Sequence, residues 1–140
     1  MEMKKFGSKI LVRCDRADEI VESIKKVCKD NHINLASVTG IGAVDKAVIG
    51  LFDPKTKEYH STQINKDMEI TALVGNITRM DGEVYLHTHI TLADASYNAF
   101  GGHLTSAWVS CTAEIIIDII EGEVGRAFSD EIGLNLITMK

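Results

Sequence analysis

Apart from one stretch near its start, this sequence is built from short runs of strand-like character, and a single proline, Pro54, interrupts them. Such runs, rich in β-branched and aliphatic residues, restrict a chain to sheet for most of its length. They are Ile10–Val12, Leu35–Thr39, Ala43–Phe52, Glu58–Ile64, Met68–Thr78, Val84–Leu92, His103–Val109, Thr112–Ile120 and Leu134–Thr138. The exception is Ala17 to about Asn31. There Ile20, Ile24 and Val27, flanked by Val21 and Cys28, share one helical face, and Glu19, Glu22, Lys25, Lys26 and Lys29 point away from it. Asp15 is the expected N-cap of this helix. Asp53-Pro54-Lys55 ends one strand, and Asp81-Gly82 predicts a hairpin turn. Ile115-Ile116-Ile117 with Ile119-Ile120 is apolar on both faces of a strand, which requires cover from a helix or from another subunit. The pattern predicts an α+β fold, an antiparallel sheet or barrel with one helix, that associates with copies of itself.

No Ser/Gly/Pro-rich linker and no internal repeat divides the 140 residues, so residues 1–140 are expected to form a single domain. The composition, 45% hydrophobic and 25% charged, is that of a folded globular protein. No apolar run approaches the ~20 residues that span a bilayer, and no secretory signal follows MEMKKFGSK, so a cytoplasmic protein without a membrane partner is expected. The net charge of −5 speaks against a protein whose task is to cover a nucleic-acid backbone. Cys14, Cys28 and Cys111 are odd in number and widely spaced, and read as small buried hydrophobes in a reducing compartment.

The strongest chemical signal is Leu86-His87-Thr88-His89-Ile90-Thr91-Leu92. With period two, His87, His89 and Thr91 share one face, opposite Leu86, Ile90 and Leu92. Imidazoles two residues apart, about 7 Å along a strand, can converge on one ion. His103 follows Gly101-Gly102, a pair that lets the backbone bend and bring a third imidazole alongside. Three histidines with one open position suit a catalytic or ligand-binding zinc; equally, His and Thr occupy the polar face of many half-exposed strands. His32 and His60 read as surface residues. Glu69 and Glu114 each enter an apolar strand and are candidates for a general base or a further ligand, or for a salt bridge at a sheet edge. The cupin pattern does not fit, because no glutamate follows His89 at short spacing and the second histidine motif is missing. Gly40-Ile41-Gly42 lacks the third glycine of a dinucleotide fingerprint and is followed by strand-like residues, so it predicts a tight turn between two strands.

Several segments in order carry a family resemblance: Thr39–Val44, Ile49–Asp53, Glu69–Ile77, Asp81-Gly82, Leu86–His89, Gly101–Leu104 and Thr112–Glu114. From about Ser8 to Met139 the chain resembles the plant and prokaryote conserved (PPC) domain in its stand-alone prokaryotic form. The resemblance implies a strongly bent antiparallel sheet, or partial barrel, with a packed helix, assembled as a homotrimer. It also implies a metal site, usually zinc, on the residues that match as His87, His89 and His103. Prokaryotic members are described as DNA-binding by analogy with plant proteins in which an Arg-Gly-Arg-Pro element precedes the domain. This chain has no such element; its one Gly-Arg pair, Gly125-Arg126, runs on into Ala127. Three functions follow as expectations: DNA binding by resemblance, a zinc-dependent enzyme with Glu69 as base, and a module that binds a small ligand or partner at the metal.

Overall fold

The structure, a computed structural model, describes residues 1–139. Eight strands and one helix run in the order β1 (Glu2–Phe6), β2 (Lys9–Asp15), α1 (Ile20–Asp30), β3 (Ala36–Asp53), β4 (Glu58–Met80), β5 (Glu83–Ala93), β6 (Ala99–Ile119), β7 (Gly125–Ser129) and β8 (Leu134–Thr138). The first six form one antiparallel sheet in the order β1-β2-β6-β3-β4-β5, and β7 and β8 form a separate hairpin. β6 is long enough to serve two partners along one edge: Ala99–His103 pairs with β5, and Thr112–Asp118 pairs with β2. Its other edge pairs with β3, so β3, β4, β5 and β6 close on one another. The expected bent sheet or partial barrel with one helix is what forms. Among the described residues no helix is long and apolar enough to cross a membrane.

Adjacent register rows show how period two builds the two faces. Val12, Ile115, Gly40, Leu73 and Ile90 stand side by side on successive strands, and the side chains of this row are buried. The next row is Leu11, Ile116, Thr39, Val74, His89 and His103, and it faces outward. The inner face meets α1, whose Ile20, Ile24, Val27 and Cys28 are almost completely buried.

Several boundaries differ from the sequence reading. Gly40-Ile41-Gly42 is not a turn: β3 runs through it with shifts of register at Gly40/Gly42 and Val44/Lys46. The runs on either side of residue 66, and on either side of residue 110, likewise belong to the single strands β4 and β6. β1 and β7 were not expected at all. Asp15 is not the helix cap. It ends β2 opposite Thr112, and its carboxylate accepts from Arg13 Nε at 3.0 Å. Cys14 and Cys28 are buried, and burial pushes the Cys28 thiol up to about 12, but Cys111 is exposed. Asp81-Gly82 does make the hairpin between β4 and β5, with φ of 51° and 81°, the two positive values of a type I′ turn.

Glu19 caps the helix. Its carboxylate accepts from Val21 N at 3.1 Å and Glu22 N at 2.8 Å, and also from Ala107 N of β6 at 2.8 Å. One side chain therefore closes the helix end and fastens it to the sheet. Glu19→Ala is expected to lower stability by about 2 kcal/mol, since both the cap and the Ala107 amide lose their acceptor. Urea unfolding at constant m-value measures it; a change within about 0.5 kcal/mol would mean water replaces the carboxylate without loss.

Candidate metal centre

β5 carries His87 and His89 on its outward face because Thr88, Ile90 and Leu92 are turned into the core. His103 enters from β6 directly opposite His89, as the closure of the sheet dictates. Gly101 and Gly102 lie inside β6, paired with Thr91 and Ile90, so the approach of the two strands rather than a bend delivers the third imidazole. The ring centroids are 5.3 Å apart for His87 and His89, 5.2 Å for His87 and His103, and 5.6 Å for His89 and His103. One nitrogen from each ring lies within 4.8 Å of the others. Small side-chain rotations bring such a set to the separation of about 3.3 Å that tetrahedral zinc–nitrogen bonds require.

The electrostatics favour the neutral form of His87 and His103. Burial lowers the pKa of His87, with the His89 and Arg126 charges adding to it; burial likewise lowers that of His103, helped by His87 and His89. A neutral imidazole keeps the lone pair a metal needs. Donor type, convergence and protonation therefore all fit a divalent transition ion, and three ligands leave a coordination position open.

The cluster sits in a cavity of about 710 Å³. Tyr59, edge-on to His103 at 5.7 Å between ring centroids, lines it with Leu51 and Phe52. The hairpin β7–β8 closes a further side with Leu134, Leu136 and Ile137. Arg126 of β7 joins the lining. It donates to Asn76 Oδ1 and Thr78 Oγ1 of β4 at 2.9 and 2.8 Å, and to the Asn135 carbonyl of β8 at 2.9 Å. Its guanidinium stacks 4.3 Å above the Tyr85 ring.

Glu69 is placed elsewhere. It lines a separate hollow with Ile41, Gly42, Thr71, Thr112 and Glu114, and not the histidine cavity. It pairs with Ala43 and Ala93, five residues along β4 from Val74, the partner of His89. That is about 17 Å of extended strand, so Glu69 is not positioned as a base beside the histidines. His32 and His60 are exposed and outside the cluster. Sequence reasoning missed Arg126, Tyr59 and Tyr85; nothing local marks Arg126, whose strand was not recognised.

None of the curated proteins matches the chain. Among solved structures it is similar to a candidate DNA-binding protein of Bacteroides thetaiotaomicron, at 36% identity and TM-score 0.95, over 98% of this chain and 96% of that one. It is also similar to a metal-containing protein of Archaeoglobus fulgidus, at 30% identity and TM-score 0.87, over 99% of each chain. A plant- and prokaryote-conserved (PPC) protein of Pyrococcus horikoshii is similar at 29% identity and TM-score 0.86, over 99% of this chain and 94% of that one. The model of the Plants and Prokaryotes Conserved domain matches residues 1–121, and with the histidines inside that span the chain belongs to this family.

Proposed function

We propose that this protein holds one divalent transition ion, such as zinc, on His87, His89 and His103, and binds a small ligand at the open position. The observation that carries this reading is the convergence of three imidazole nitrogens in one cavity. The similarity to a protein described as metal-containing supports it. Imidazole donors suit nickel and iron(II) as well as zinc, so the ion is named by chemistry and fixed by assay. When bound, such an ion supplies a Lewis-acid centre. The chain's own contribution is three convergent imidazole donors and a largely apolar, partly enclosed chamber.

Direct DNA binding, which the name of the Bacteroides relative carries, finds less support. The net charge is −5, and on β2 Lys9 pairs with Asp118 while Arg13 pairs with Glu2 and Asp15. Phosphate binding draws on unpaired cations. Self-association has a specific observation in its favour: Leu11, Ile41, Val74 and Ile116 form an exposed apolar band across the outer face, which copies of this chain, as a homotrimer, would cover.

Metal analysis of protein purified without chelator tests the central reading. About one equivalent per chain is expected in the parent and almost none in His87→Ala, with both folded by circular dichroism. Zinc at 100 times its Kd should stabilise the parent by about 2.7 kcal/mol and leave the variant unmoved. Equal and negligible metal in both would show the histidines to be ordinary residues of a strand face.

A further inference from the structure

The histidine cavity has a fixed positive charge and no negative one. Among the described residues lining it there is neither Asp nor Glu. Arg126 is held by three neutral oxygens, those of Thr78, Asn135 and Asn76. Those bonds use three of its five N–H donors and neutralise none of its charge. These bonds fix the guanidinium and leave one N–H on Nη1 and one on Nη2, with the full positive charge, to meet an anion such as a carboxylate. The remaining walls are apolar or aromatic: Leu51, Phe52, Leu136 and Ile137, with Tyr59 and Tyr85. The volume of about 710 Å³ lies within the range of small-molecule sites.

We infer that the cavity takes a small organic carboxylate with an apolar or aromatic body, its carboxylate set between the ion on the three histidines and the Arg126 guanidinium. The inference rests on the metal-centre reading above and names its ligand class. An inorganic anion would satisfy the charges but leave the apolar walls facing water. A neutral molecule of the same shape would fill the walls but leave Arg126 and the ion without a counter-charge. The two halves of the site come from different parts of the chain. The histidines lie within the family-matched residues 1–121, whereas Arg126 and the β8 wall follow them. Hairpin β7–β8 therefore supplies the Arg126 charge and one wall of the site, while Leu51, Phe52, Tyr59 and Tyr85 supply the others.

Protein loaded with Co²⁺, whose visible spectrum reports on its coordination, is titrated with benzoate, benzamide and inorganic phosphate, with calorimetry in parallel. Benzoate is expected to perturb the cobalt spectrum and to bind at least about tenfold more tightly than benzamide or phosphate. Arg126→Gln should keep one equivalent of cobalt and weaken benzoate by about 10- to 100-fold. Arg126→Lys keeps the charge without the planar fork and should fall between. Because Arg126 also ties β7 to β4, the comparison of benzoate with benzamide on the unaltered protein stands independently of either variant. Equal affinity for benzamide or phosphate, or benzoate binding unchanged in Arg126→Gln, overturns the inference while stoichiometric cobalt leaves the metal centre standing. A parent that takes up no cobalt overturns both.

Discussion

Gly75→Ala is expected to lower stability by about 3 kcal/mol, roughly 10 °C in Tm, and to reduce metal occupancy at the same time. Gly75 lies in β4 opposite Thr88 of β5. A methyl carbon added there would stand 2.7 Å from Thr88 Cα and from Thr88 Cγ2, and closer still to the His87 carbonyl oxygen. Two of those obstacles are backbone, so no side-chain rotation relieves them. Relief comes only from widening β4–β5, and β5 carries two of the three donors while His103 is held both by β5 through His89 and by β3 through Gly50. A shift of β5 away from β4 is therefore opposed at His103 by β3 and strains the His89–His103 pairing that sets the triad. Chemical unfolding of metal-free protein reads the first effect, and metal content per folded chain reads the second. Stability lost with full occupancy would show that the triad tolerates strand separation; neither effect would show that the ladder yields there at no cost.

The helix was legible because one face of period 3.6 is unmistakable among period-two runs, and Asp81-Gly82 because a two-residue hairpin needs two positive φ values that this pair accepts. Strand lengths were not. A register shift breaks the phase of alternation, so β3, with shifts at Gly40/Gly42 and Val44/Lys46, reads as two short strands although its ladder with β4 continues. The helix cap was misassigned because Asp15 and Glu19 both offer carboxylates before the apolar face. What decides is that Asp15 is committed to pairing with Thr112, while Glu19 can also reach Ala107. β1 is nearly all polar or charged at its centre, Lys4-Lys5, and is placed by pairing with β2 rather than by a buried face of its own.

The site divides the same way. His87 and His89 could be put on one face because strand geometry alone fixes that. That His103 stands opposite His89 depends on the closure of β5 onto β6, a long-range event that no local pattern encodes. Glu69 drew attention as a charge in an apolar strand, but position along a strand matters as much as face, and its row leads away from the histidines to Ala93. Arg126 joins the cavity through the hairpin's docking on Asn76 and Thr78, which depends on tertiary structure throughout.

Ile117→Ala is expected to destabilise the chain by about 3–4 kcal/mol, whereas Ile116, its neighbour in the same run, should leave chain stability almost untouched and govern association instead. Ile117 is fully buried between Ile10 and Val38, themselves buried, on strands paired along both edges of β6, so the walls cannot collapse into the space left behind. Ile116 points the other way and is 44% exposed beside Leu11, itself 45% exposed. An apolar band of that kind on the outer face of a paired sheet loses most by contact with water when chains separate. Ile116→Asp is therefore expected to shift sedimentation from an assembly to a single chain while the metal-free monomer unfolds within about 0.5 kcal/mol of the parent. Unfolding must be followed at several protein concentrations, because association stabilises the folded chain by mass action and would otherwise mask the difference. An Ile116→Asp protein that sediments like the parent would move the interface off this band. An Ile117→Ala protein within about 1 kcal/mol of the parent would mean that the two-faced isoleucine run is not divided between core and surface as the register places it.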